Sequence, residues 1–310
     1  MTIDLRTTRH LSSAQLRELE TMIVATAIWD GLWPLSEDSR LDLSARTPIP
    51  GIAHYLAYHG ESLVGYAIRR EATPRVAVPT VELFVAPDYR LRSFGTEMLT
   101  AIVSGSLVSI AFWAHGNVPS AQSLRRKYCM VPTRKIAVLA RSLPYEHSTQ
   151  TVDGNHFSQE YAIRAFSLES DIDRWVALNR RVFAGHPEQG AWTRRDFQKR
   201  LSSDWFHKSG LQIVTDPHDE PIGFGWSKID TLATATGCGE FYVLGVDRRY
   251  QGRGFGQLLA SRSLQYLAGM GMKRAELYAD ESNEPAIRIY DALGYRHERY
   301  DIVYLWCPHE

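Results

Sequence analysis

The segment of this chain best suited to chemistry is Gln251-Gly-Arg-Gly-Phe-Gly256. It lies between a run of aromatic and branched residues, Glu240 to Val246, and a helix-patterned run, Phe255 to Met270. Glycines let the backbone turn tightly and approach a ligand closely, and a helix start offers unpaired N–H groups with partial positive charge. A pyrophosphate is the natural guest of such a turn. A P-loop would need Gly-Lys-Ser/Thr after its first glycine, and none is present. A dinucleotide fingerprint would need glycine where Gln257 stands, although Glu276 lies about twenty residues on, where that motif wants an acid. A glycine-rich turn that is only a turn stays open at this level. Taken alone, Glu240 reads as a solvent-facing carboxylate at a strand start. Tyr290, in register with Ala286, Ile289 and Leu293, reads by periodicity as a core aromatic.

The elements that must position these residues follow from the hydrophobic pattern. In the second half, Tyr161 to Phe166 alternates as a strand, and Asp171 to Phe183 is an amphipathic helix through Ile172, Trp175, Val176, Leu178 and Val182. Leu211 to Val214 and Pro221 to Ile229 are strands joined by the turn Asp216 to Glu220. Glu240 to Val246 is a strong strand, and the following helix turns Phe255, Leu258, Leu259, Tyr266, Leu267 and Met270 inward. Ala275 to Tyr278 is a strand. Pro285 to Leu293 is a helix opened by Asn283 and ended by Gly294. Arg299 to Trp306 is the last strand. The expected fold class is α/β, with mixed, mostly antiparallel sheets flanked by helices.

The first half repeats this order. Val81-Glu-Leu-Phe-Val-Ala-Pro-Asp-Tyr-Arg-Leu-Arg-Ser-Phe-Gly95 aligns with Tyr242-Val-Leu-Gly-Val-Asp-Arg-Arg-Tyr-Gln-Gly-Arg-Gly-Phe-Gly256, setting Gly95 on Gly256, Phe94 on Phe255, Arg92 on Arg253, Tyr89 on Tyr250 and Val85 on Val246. The chain therefore reads as a duplicated domain, 1–143 and 161–310. The polar stretch 144–160, whose composition cannot build a core, serves as linker.

Strand, Gln-x-x-Gly-x-Gly, helix, Asn283 after the next strand, and Tyr290 in the helix beyond it resemble the GCN5-related N-acetyltransferase (GNAT) family over the whole second half. The resemblance implies an enzyme that uses acetyl-CoA. Leu244, Gly245 and Val246 would face the acetyl carbonyl and pantetheine. Gln251, Gly252, Arg253, Gly254, Phe255, Gly256 and Gln257 would cradle the pyrophosphate, with further contacts from Asn283, Glu284, Pro285, Ala286, Ile287 and Arg288. It implies Glu240 as general base, because an amine that is largely protonated near neutral pH must lose a proton before it attacks a thioester. Tyr290 would be the general acid.

Three stretches are similar to the mycothiol synthase family of tandem GNAT enzymes: Phe183-Ala-Gly-His-Pro-Glu-Gln-Gly190, Gly237-Cys-Gly-Glu-Phe-Tyr-Val-Leu-Gly-Val-Asp247, and Phe112-Trp-Ala-His-Gly116. That likeness implies a small-molecule acceptor, the cysteine amine of cysteinyl-glucosaminyl-inositol, contacted by Glu37, Glu188, Lys228 and Tyr278. Without it, Glu37 and Glu188 read as exposed loop charges, Lys228 as a strand-edge lysine and Tyr278 as a sheet-packing aromatic. The chain departs from the family in being several residues shorter between the helix ending near Met270 and Tyr278.

In the first half the corresponding loop keeps one glycine of three. Arg125 takes the tyrosine position and cannot give up a proton at usable pH. This half is expected to be non-catalytic, a wall of the acceptor cleft that still holds a CoA through Leu83, Phe84, Val85, Arg90, Leu91, Arg92, Ser93, Phe94 and Gly95.

Composition sets the outer limits. Of 310 residues 44% are hydrophobic and 23% charged, and 35 basic residues balance 35 acidic ones, which argues against nucleic-acid or acidic-membrane partners. No apolar run approaches the ~20 residues needed to span a bilayer, and the polar start to Leu16 does not read as a secretory signal. Three scattered cysteines and eleven histidines without ligand spacing lead to the expectation of no metal. A cytoplasmic monomer is expected. The competing readings are a tandem acetyltransferase for another small amine (an aminoglycoside or a polyamine), a protein-tail acetyltransferase, and a non-catalytic acyl-CoA-binding module.

Overall fold

The computed structural model describes residues 3–43, 45, 47–74, 76–143, 160–186 and 189–308. Its contacts divide into two compact units, one formed by Met1–Ile136 with Arg299–Glu310 and the other by Ala137–Glu298. The division does not fall in the expected linker, of which only Glu160 is described.

In the first unit the order is β1 (Asp4–Thr8), α1 (Ser13–Asp30), α2 (Glu37–Leu43), β2 (Ile52–His59), β3 (Ser62–Arg70), β4 (Thr80–Val85), α3 (Phe94–Val103), β5 (Ile110–Ala114) and α4 (Pro119–Lys127). It also holds the first part of β6 (Val131–Ser142) and, from the far end of the chain, most of β12 (Arg296–Trp306). Its strands lie in the order β1-β2-β3-β4-β5-β12. Helix α1 starts on a capping box, with Ser12 and Gln15 each accepting the other's backbone N–H. It ends on Gly31 in the left-handed conformation, φ 69°. One core packs Phe94, Met98 and Leu99 of α3 against Val81, Ile110 and Ile302. A second packs Leu19, Met22 and Ile23 of α1 against Leu56 and Tyr66.

The second unit runs through β7 (Ala162–Ala165), α5 (Ile172–Val182), α6 (Arg194–Leu201), β8 (Leu211–Thr215), β9 (Pro221–Lys228), α7 (Thr231–Thr236), β10 (Cys238–Val246), α8 (Phe255–Gly269), β11 (Arg274–Asp280) and α9 (Glu284–Ala292). Its strands lie in the order β7-β8-β9-β10-β11, with the end of β6 beside β11. Helix α5 buries Trp175, Val176 and Leu178, as its periodicity predicts. Trp175 stacks on Phe197 of α6 with centroids 4.1 Å apart. The short helices α6 and α7 have too few turns to show in the hydrophobic pattern.

The mixed, mostly antiparallel sheets with flanking helices match the expected fold class. One expectation fails: Met270 is 46% exposed, because α8 ends at Gly269 and Met270 falls past its last inward turn. No helix among the described residues is long and apolar enough to cross a membrane.

Candidate active site

In each unit one strand pair is parallel, and it parts early. β10 and β11 pair only through Cys238↔Arg274, Gly239↔Ala275 and Glu240↔Glu276, although β10 continues six residues further, Phe241 to Val246. Over that stretch β10 pairs with β9 alone. A register shift between Phe241 and Val243 leaves Tyr242 as the extra residue of a bulge, which bends a strand and increases its twist. The strands thus open like a V, and among the described residues the β10–β11 pairing stops at Glu240. Such an opening suits an extended amide-bearing arm such as pantetheine. In the first unit β4 and β5 also pair at three positions, Thr80 to Glu82 with Ala111 to Trp113. There only Leu83, Phe84 and Val85 lie beyond the pairing, and β4 carries no bulge against β3.

The glycine loop sits at the open end of this V. Asp247 accepts from the backbone N–H of Arg249 and starts a short 3-10 turn. Hydrogen bonding to Arg249 holds its carboxyl at about 2, against the effect of burial, with Arg181 also contributing. Gln251 donates its side-chain amide to the Val246 carbonyl at 3.1 Å, tying the loop to the strand end. Gly252 and Gly254 are left-handed, φ 75° and 88°, a conformation costly for other residues, and a side chain on Gly252 would meet no atom within 4 Å. Open space above a left-handed turn at a helix start is the setting in which a pyrophosphate is held. Phe255 is only 2% exposed and Phe94 1%, each packed into the core of its unit. Arg253 donates to the Tyr161 hydroxyl and lies over the Tyr250 ring. Asn283 caps α9 by accepting from Ala286 N–H, and Glu284 pairs with Arg288 on the surface.

Four side chains lie across one face of β9, β10 and β11. Lys228 is opposite Glu240 and Glu240 is opposite Glu276; Tyr278, two residues along β11, shares that face. The Lys228 ammonium is 3.5 Å from Glu240 Oε2 and 3.6 Å from Asp230 Oδ2, with only 3% of its side chain exposed. It also lies 5.2 Å from the ring centroids of both Trp205 and Tyr242. Tyr278 donates to Glu276. Glu240, the third residue of its strand, has 21% of its side chain exposed.

Tyr290 of α9 is 7% exposed, with its ring edge-on to Phe241 and Tyr295. Burial pushes its phenol well above the ordinary tyrosine range, so at neutral pH it holds its proton.

Several single-residue readings are corrected. Lys228 is on an interior strand between β8 and β10, so it is not a sheet-edge lysine. Glu37 is no exposed loop charge but the half-buried first residue of α2. Tyr278 does not pack into the sheet, being 39% exposed. Glu188 lies outside the described residues. Glu276, opposite Glu240, and Asp230, the second carboxylate on Lys228, are not among the residues the sequence reading places in the site. The alternation Glu276-x-Tyr278 carried the signal for Glu276, and nothing in sequence carried it for Asp230.

In the first unit, Leu83, Phe84, Val85, Arg90, Leu91, Ser93, Phe94 and Gly95 line a cavity of about 240 Å³. Leu91 and Ser93, aligned with Gly252 and Gly254, keep the left-handed backbone at φ 59° and 67° without being glycine. Arg90 is held by Asp30 through two hydrogen bonds of 2.7 and 2.6 Å. Arg92 lies over Tyr89 as Arg253 lies over Tyr250. Nine-residue helix α4 has the same cap register as α9, and Arg125 takes the place of Tyr290.

The model of the acetyltransferase (GNAT) family matches residues 172–295. The chain is 33% identical over 307 residues to the mycothiol acetyltransferase of Acidothermus cellulolyticus, covering 95% of this chain and 92% of that protein. It is 35% identical over 277 residues to that of Kytococcus sedentarius, covering 89% of this chain and 88% of the relative. Among solved structures, a tandem GNAT protein from the clavulanic acid biosynthesis pathway superposes with a TM-score of 0.67 at 14% identity, covering 99% of this chain and all of that one. A GCN5-related N-acetyltransferase from Sphaerobacter thermophilus gives 0.62 at 17% identity, over 99% and 97% of the two chains. The tandem architecture, the parted strand pair with its glycine loop and the near full-length likeness agree: this chain is a GNAT acetyltransferase and belongs to the mycothiol acetyltransferase family.

Proposed function

We propose that the protein transfers acetyl from acetyl-CoA to the cysteine amine of cysteinyl-glucosaminyl-inositol, giving mycothiol. The observation that carries this reading is the V between β10 and β11, with Glu240 where the strands part and the left-handed loop Gly252 to Gly254 at the open end. Glu240 takes a proton from the acceptor amine, directly or through water. Backbone N–H groups around Leu244 to Val246 stabilise the developing oxyanion, at no cost in reorganisation because the strand already fixes them. Tyr290, protonated at neutral pH, gives its proton to the departing thiolate. Lys228, Tyr278, Glu188 and Glu37 are the residues proposed to recognise the acceptor. The excess of carboxylates over cations around Glu240 suits an ammonium-bearing substrate.

The first unit is read as a second, non-catalytic acyl-CoA groove. The cavity lined by its loop and the retained left-handed backbone support binding, and Arg125 in the tyrosine position argues against turnover. The monomeric, cytoplasmic state belongs to the same proposal.

The test mixes protein with acetyl-CoA and the desacetyl acceptor, and follows CoA release with product mass. One acetyl added to the amine is expected, with turnover lowered about 10²–10⁴-fold in Glu240→Ala. Turnover only on other amines would keep the fold and overturn the acceptor. Acyl-CoA binding without turnover on any amine would leave a binding module.

A further inference from the structure

A lysine 3% exposed, with two carboxylates and two aromatic rings about its ammonium, is well placed to act on what it touches, besides its proposed contact with the acceptor. Burying an ammonium is unfavourable unless it is paired, and Asp230, Glu240, Trp205 and Tyr242 provide that pairing together. The seat is itself rigid. Trp205 and Tyr242 pack with centroids 5.3 Å apart, and the Tyr242 hydroxyl accepts from Arg200 Nε at 2.6 Å, Arg200 being 3% exposed. Lys228 and Asp230 come from the end of β9 and the turn after it, where Asp230 also caps α7 by accepting from Ala233 N–H. The ammonium is therefore held in a fixed seat, and Glu240 is its partner at the point where the strands part.

We propose that Lys228 is a positioning residue for Glu240, holding its carboxylate ionised and oriented so that it can serve as the base. The inference rests on Glu240 being that base. The need for it comes from the neighbours. Glu276 faces Glu240 from β11, Asp230 is the second carboxylate on the Lys228 ammonium, and the phenols of Tyr242 and Tyr278 are nearby on β10 and β11. α7, packed against β10, has no charged residue between Thr231 and Thr236. Arg274, two residues before Glu276 on β11, is paired with Glu298, and Arg200 of α6 donates to the Tyr242 hydroxyl, whereas the Lys228 ammonium lies 3.5 Å from Glu240; without it a carboxylate facing Glu276 would protonate more readily. Acceptor contact as the sole role of Lys228 predicts something different: a raised KM with an unmoved pH profile.

The experiment measures kcat/KM for the amine against pH, between about 5 and 9, in the full chain. In Lys228→Met the acid limb is expected to move up by about one pH unit or more, so that activity below the limb falls about tenfold or more. Lys228→Arg should return the limb close to its original position, because the charge is restored. Asp230→Asn should move it the other way, to lower pH, because Lys228 is then shared with one carboxylate fewer. A raised KM in Lys228→Met with the limb unmoved would overturn the proposal in favour of direct acceptor contact. Should Lys228→Met fail to fold, Asp230→Asn with no downward movement of the limb overturns it equally. Glu240→Gln is run alongside. If that variant keeps full activity, the base assignment itself has failed, which is a separate result from a limb that ignores Lys228.

Discussion

The first unit holds a buried charge network of its own, centred on His115. His115 places Nε2 3.1 Å from Glu82 Oε2 and Nδ1 3.1 Å from Asp301 Oδ2, so both ring nitrogens meet carboxylates. Glu82 also accepts from the hydroxyls of Ser36 and Ser39 and from Ser36 N–H, and Asp301 accepts from Gly116 N–H. Burial alone would lower the imidazole, but its hydrogen bonds to Asp301 and Glu82 and their charges hold it up, at about 10. Burial alone would raise Glu82, but hydrogen bonding and charge from His115, with Ser39 and Ser36, hold it down, at about 2. The sign follows from linkage. The His115 contribution is complete below its ordinary value of 6.5 and is lost as pH rises through about 10. The Glu82 contribution is complete above its ordinary 4.5 and is lost as pH falls through about 2. His115→Asn leaves two buried carboxylates facing each other. It is expected to destabilise the first unit by about 3–5 kcal/mol at pH 7 and to flatten the stability loss between pH 7 and 10. Urea denaturation at both pH values checks this, and a change under about 1 kcal/mol would remove the network from any account of stability.

At the scale of the element, the two strand–loop–helix segments differ in how their loops reach the same backbone. Gly252 and Gly254 adopt positive φ without a steric penalty, whereas Leu91 and Ser93 adopt it with one. Gly254→Ala should therefore destabilise the second unit by about 1–2 kcal/mol and weaken acetyl-CoA binding, since the residue is the N-cap of α8. Ser93→Gly at the N-cap of α3 should do the reverse, stabilising the first unit by up to about 1 kcal/mol. Calorimetric titration with acetyl-CoA and thermal melts of the two variants test the pair. If Gly254→Ala melts and binds like the parent, the left-handed loop is not what holds the ligand.

At the scale of the whole molecule, the sequence halves and the compact units do not coincide. Residues 137–143 belong to the second unit, where Leu143 N–H donates to the Lys273 carbonyl at 2.8 Å and Arg141 reaches the Leu293 carbonyl. Residues 299–310 belong to the first, where Ile302 to Trp306 pair with Ile110 to Ala114 of β5. A fragment 137–298 is thus one contiguous unit and should be soluble, melt cooperatively and bind acetyl-CoA. A fragment 161–310 leaves β11 without β6 and carries a strand without its partner β5; it should aggregate through these edges. Gel filtration and melting curves decide, and a well-folded 161–310 would make residues 137–143 dispensable.

How much of this was legible beforehand depends on whether the information is local. The repeat, the strand from Glu240 to Val246, the glycine loop and the cap at Asn283 could all be read in advance, because turn chemistry and hydrophobic period act over a few residues. Glu240 and Tyr290 were named through resemblance, since nothing local separates a base from a surface carboxylate or an acid from a core tyrosine. The His115–Asp301 contact joins residues 186 positions apart, and the seat of Lys228 draws on the segment after α6, on β9 and β10, and on the turn before α7. Which strand end completes which sheet, and which cation stands beside which carboxylate, are decided by packing between distant segments, and only the tertiary structure contains them. By itself the sequence determined the architecture and the class of chemistry; the folded chain decided the electrostatic environment in which that chemistry would run.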